Sequence, residues 1–222
     1  MNPQTRLPGD YGAGRDPLVD PIYQRVRTLI GFTQGLFNAL PDGRYRWSAD
    51  PEQTEITITG AYPIAAASVH ARPAIIVMSG QTAFMNIGIG NFDTHSDHGN
   101  QVFRDVLAST AIFNCLARTG PEAAALAWFV GSNVKALRRF LQQRGNFLRI
   151  GHDVSIGTET PPGALLQDMT DGGVVNVQVM TAMYIPHKWE VRYPSTRHEN
   201  VSVTVVPDGG GEIKIADTTT EP

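Results

Sequence analysis

From Ile22 the chain places Ile22, Val26, Leu29, Ile30, Leu36, Phe37 and Leu40 at three- and four-residue spacing, with Thr33 in the same stripe. That period predicts an amphipathic helix. Asp20 suits its cap and Pro21 its first position. The helix should stop at "LPDGRYRW", because Pro41 disfavours helical geometry in the residue before it and Asp42-Gly43 favours a turn.

The period then changes. In "TEITITGAYP", Ile56 and Ile58 alternate with polar residues, and the β-branched run "AIIVM" follows at Ala74 to Met78; both predict strands. "QVFRDVLASTAIFNCLAR" resembles a helix at first glance. Ile112, Phe113, Cys115 and Leu116, interleaved with Ser109, Thr110 and Asn114, favour a half-buried strand in its second half.

"TGPEAAALAWFVGSNVKALRRFLQQRG" carries the clearest helical pattern, expected from Pro121 to Arg144. Pro121 and Glu122 occupy its first turn, and Gly145 ends it. Ala123, Leu126, Ala127, Val130, Val134, Leu137 and Leu141 form a small-and-apolar stripe suited to packing across a sheet. Strand-like "FLRIGHDVSIG", a Pro- and Gly-rich loop from Thr158 to Gly173 and the strand-like "VVNVQVMTAMYI" follow. "VSVTVVPDGGGEIKI" reads as two alternating segments about a Gly-rich turn, a hairpin too small to be stable alone.

These elements predict an α+β fold: a mostly antiparallel sheet packed by a long helix and an N-terminal helix, with an extended terminal arm and a C-terminal hairpin. The expected division is an arm over residues 1–18, an α+β domain over 19–193 and a hairpin extension over 194–222. No internal repeat interrupts that order. The 222 residues and 41% apolar composition allow one substantial core.

Pro73 to Phe92 contains 20 residues without a formal charge, about the length of a membrane span. Gln81, Asn86, Asn91 and the interspersed glycines are unlike a spanning helix, so buried strands joined by a turn are expected instead. The opening residues lack the apolar core of a secretory signal, and a cytoplasmic site of synthesis and assembly is expected. The single cysteine, Cys115, lies in the apolar run "TAIFNCLA" and reads as a small buried hydrophobe.

Eighteen Lys and Arg stand against 21 Asp and Glu, a net charge of −3, so no global basic field draws the protein to nucleic acid or anionic membrane. Locally the balance differs. Lys135, Arg138, Arg139, Arg144 and Arg149 follow one another with no acid between Glu122 and Asp153. They read either as a solvated helix face or as a surface meeting another subunit or DNA. Trp128 and Phe129 are adjacent on the same helix and cannot both face its buried stripe, so one is available to another segment or chain.

"NFDTHSDHGN" brings Asp93, His95, Asp97 and His98 into six residues. On a strand, Asp93, His95 and Asp97 would share a face and offer three ligands to a divalent ion, the basis of a metal-dependent hydrolase alternative. Gly88, Gly90, Gly99 and Asn100 bracket the cluster, and a solvated polar loop is the simpler reading. Gly88-Ile89-Gly90 lacks the third glycine of a dinucleotide loop, and the chain contains no HExxH, GxSxG or Walker pattern. No cofactor and no catalysis are expected.

The run "STAIFNCLARTGPEAAALAWFVGSNVKALRRFLQQRGNFLRIGHDVSIGTETPPGAL" resembles the strand, long helix and following strands of bacteriophage tail-terminator and related tail-completion proteins. The first helix and "EITITGAYP" extend the resemblance to about two-thirds of the chain. It rests on the pattern of elements and not on an invariant motif. The resemblance implies a virion structural protein that forms a homo-oligomeric ring, usually a hexamer, between the tail tube and the head-completion or neck proteins. DNA would pass through the lumen without base-specific reading, and no membrane would be involved. Another head-tail connector, such as a head-completion or adaptor protein, is the neighbouring alternative. Lys135, Arg138, Arg139, Arg144 and Trp128 are the expected interface or lumen residues.

Overall fold

The structure is a computed structural model that describes residues 21–41, 45–86, 92–95, 101–167, 173–191, 203–205 and 213–215. It is α+β, with a sheet of mixed parallel and antiparallel strands. The expected arm over 1–18 lies outside the described residues, as does Asp20.

By its internal packing the chain divides into two units. The larger comprises Ile22–Thr82 and Ala108–Tyr184; the smaller takes in the described parts of Met1–Pro21, Ala83–Leu107 and Ile185–Pro222.

The larger unit begins with α1 (Pro21–Asn38), whose buried face is Ile22, Val26, Leu29, Thr33 and Phe37. That is one stripe at helical spacing. Its polar member is accommodated because the Thr33 hydroxyl donates to the Leu29 carbonyl at 2.8 Å, one turn back. The Gln34 amide donates to the Ile58 carbonyl at 3.2 Å, tying α1 to strand β1 (Thr57–Thr59).

A short helix, α2 (Ala66–Ala71), joins β1 to β2 (Ala74–Ser79), and the two strands pair in parallel, Thr57 opposite Ala74. A parallel pair needs such a crossover. Neither the helix nor the parallel pairing was foreseen from the sequence, because "AASVHA" is too short to display a helical period.

β5 (Gln101–Ala117) is extended along its whole length, so the helical resemblance of its first half is set aside. Antiparallel pairing with β2 fixes its second half, from Ala74 opposite Leu116 to Ser79 opposite Ala111. The strand order continues to β7 (Val175–Val191), and β6 (Arg149–Thr160) also pairs antiparallel with β7. β6 therefore extends into the expected loop at Thr158–Thr160. Among the described residues β7 is the only partner of β6, and two register irregularities interrupt the pairing.

The expected helix over Pro121 to Arg144 is two helices, α3 (Gly120–Ala136) and α4 (Arg138–Gly145). They part at Leu137, whose ψ of 18° leaves helical geometry. The Arg138 side chain donates to the Lys135 carbonyl at 3.1 Å, satisfying a group that the break exposes. Ala123, Leu126, Ala127, Val130, Val134 and Leu141 are buried as expected, whereas Leu137 is turned outward by the break. α4 ends at Asn146 in the left-handed conformation.

Both helices pack on β6. Gly131 lets α3 approach closely, since a Cβ there would lie 3.2 Å from the Ile156 side chain. Gly151 is more demanding: its φ is +69°, and a Cβ would lie 2.7 Å from the Val134 carbonyl oxygen.

Within this sheet the buried Asn114 accepts from Asn176 at 3.3 Å and from Gln178 at 3.0 Å. Such a network stabilises only one register of its strands, because a slip leaves the amides unsatisfied in a dry environment.

In the smaller unit β3 (Ala83–Asn86) and β4 (Phe92–His95) both pair with β5, and β7 pairs with β8 (Val203–Val205) at Val191 opposite Val205. β8 in turn pairs antiparallel with β9 (Ile213–Ile215). The Gly-rich segment expected to turn between these two lies outside the described residues. No helix among the described residues is long and apolar enough to cross a membrane.

Candidate functional site

Of the adjacent aromatics on α3, Phe129 turns inward and meets Phe37 of α1 edge to face, with ring centroids 5.0 Å apart. Trp128 is left 70% exposed. It shares an outward line with Ser132 and Lys135, one and two turns on. Past the break, Arg139, Phe140 and Arg144 are exposed on α4, and Phe140 also leans on Phe32 at 6.4 Å.

The expected basic series is thus divided by the structure. Lys135, Arg139 and Arg144 are exposed at one end of the α3–α4 pair, and Arg138 is half-buried with its guanidinium on the Lys135 carbonyl. Arg149 is occupied differently, bonding Asp153 at 3.0 Å and lying over the Tyr184 ring at 6.0 Å. Asp153, the acid that closes the acid-free span, neutralises it.

At the other end of α3 an open cleft of about 980 Å³ is lined by Tyr45, Glu52, Glu55, Arg72 and Glu122, among others. The Tyr45 hydroxyl donates to Glu122 at 3.0 Å. Tyr45 does so from a φ of 77°, a conformation costly for a bulky side chain. Arg72 donates to the carbonyls of Pro51 at 2.8 Å and Thr54 at 3.0 Å, so its guanidinium holds the cleft wall together. Among the described lining residues, three carboxylates stand against one guanidinium. No pattern along the chain announces this grouping, since Glu122 lies far from Glu52 and Glu55.

The smaller unit offers a different surface. Every residue of β3 is exposed, Phe84 at 70% and Met85 at 47%. Successive strand residues point to opposite faces, so both faces of β3 present an apolar side chain. Phe84 also contacts His187, ring centroids 5.9 Å apart. The uncharged run from Pro73 to Phe92 departs from the buried strands its composition predicts: Ala74–Val77 are buried, but β3 is not.

Asp93 and His95 belong to β4, whose pairing with β5 is irregular between Phe92 and Thr94. Asp97 and His98, like Gly88-Ile89-Gly90, lie outside the described residues. Among the described residues no three His, Cys, Asp or Glu side chains gather to hold a metal ion. Cys115 is fully buried, and burial pushes its thiol up from 9.0 to about 12. It is protonated at neutral pH and not poised as a nucleophile.

No protein-family model matches this chain, and no curated protein matches it.

Proposed function

We propose that this chain is a virion structural protein, a tail terminator whose copies form a ring that caps the tail tube and joins it to the head-completion or neck proteins. DNA passes through the lumen. The observation that carries the assembly reading is β3, which presents Phe84 and Met85 to solvent from its two faces. An isolated copy gains nothing from holding large apolar side chains in water; neighbouring copies or tail components bury them. The resemblance of the Ser109 to Leu165 run supplies the particular identity, and the hexamer is the ring size that resemblance favours.

Light scattering on the purified protein across a concentration series, with and without isolated tail tubes, tests the reading. A discrete ring mass, formed alone or on tubes, supports it. A chain that stays at 24.1 kDa and ignores tubes overturns it. Binding to filled heads in place of tubes would reassign the chain to the head side of the neck.

A further inference from the structure

We propose that one copy docks onto the next through charge: the basic end of the α3–α4 pair, Lys135, Arg139 and Arg144, enters the acidic cleft of Glu52, Glu55 and Glu122 on a second copy. This rests on the assembly reading and assigns its interface. Both patches belong to the larger unit, and among the described residues they are opposite in sign. Glu122 lies in the first turn of α3 and Lys135 in its last, roughly 20 Å apart along the axis at about 1.5 Å per residue. At that separation the two patches do not neutralise each other within one copy. They are complementary between copies.

A head-to-tail contact of this kind uses a different patch on each partner, as every cyclic ring requires, and it closes when the rotation between successive copies divides a full turn. The forked guanidinium groups of Arg139 and Arg144 suit carboxylates, which accept two N–H bonds at once. Leu137 and Phe140, exposed beside them, supply apolar area that the charges alone lack. The dipole of α3 accounts for an acid at its start and a base at its end. It does not account for Glu52 and Glu55 from another segment, nor for Arg139 and Arg144 beyond the break.

Charge reversal with mixing tests the proposal. One variant carries Arg139→Glu and Arg144→Glu; the other carries Glu52→Arg and Glu55→Arg. Each alone sets like charge against like and is expected to fall to the 24.1 kDa monomer, with its circular dichroism and Tm close to wild type. An equimolar mixture makes every contact complementary again in an alternating ring, and the ring mass returns. Raising salt from about 0.15 to 1 M shortens the screening length from about 8 to 3 Å and weakens the wild-type ring.

If both folded variants keep the wild-type ring mass, this interface is wrong while the ring stands. If the Arg139→Glu, Arg144→Glu variant keeps its mass but loses retention on a DNA column, the cations face DNA and the proposal fails. A wild type that never assembles, with or without tubes, defeats the assembly reading itself.

Discussion

Phe37 and Phe84 are the same side chain in opposite circumstances. Phe37, in the larger unit, is 1% exposed and packed edge to face on Phe129. Phe84, in the smaller unit, is 70% exposed on a strand with no covered face. The difference extends to the strands that carry them: β2 of the larger unit buries Ala74–Val77, whereas every residue of β3 is exposed. Burial stabilises the larger unit within one copy. β3 holds in water Phe84 and Met85, which the proposed assembly would cover.

The contrast can be broken most forcefully at Phe37. Replacement by Ala removes a fully enclosed ring between α1 and α3 and should cost about 3–5 kcal/mol, read as a lower urea midpoint with an unchanged slope. Gly151→Ala should follow, at about 2 kcal/mol or more, since the new Cβ meets both an unfavourable φ and the Val134 carbonyl. Smallest in stability is the double change Phe84→Ser and Met85→Ser, expected within about 0.5 kcal/mol of wild type by the same urea titration. Its effect should appear instead as reduced ring formation or tube binding. A large loss of monomer stability from that double change would show β3 to be part of a core, and the contrast between the units would fail.

Much of the larger unit was legible because its elements are long and its period clean. The stripe from Ile22 to Phe37 and the alanine-rich stripe of α3 are one-dimensional patterns, and burial follows them. The break at Leu137 was not legible, for the apolar spacing runs through it and only the turn geometry interrupts it. Exposure of β3 was equally hidden: "AFMN" has the composition of a buried strand, and whether anything covers it depends on distant segments.

The candidate surfaces divide in the same way. The basic series was visible as a run of one sign, but how its members are engaged depended on a carbonyl for Arg138 and on Asp153 for Arg149. The acidic cleft was invisible, because a surface assembled from Tyr45, Glu52, Glu55 and Glu122 has no signature along the chain. Trp128 was partly legible: adjacency on a helix forced one aromatic outward without saying which.

Cys115 gives this molecule a clock. It is the chain's one thiol, fully buried and paired opposite Ile75, one pair in from the Ala74–Leu116 end of the β2–β5 ladder. A thiol reagent therefore reaches it only when that ladder parts, and the labelling rate counts opening events of the larger unit. Compared between lone copies and any assembled ones, the same rate tells whether the proposed ring slows the breathing of each copy's interior.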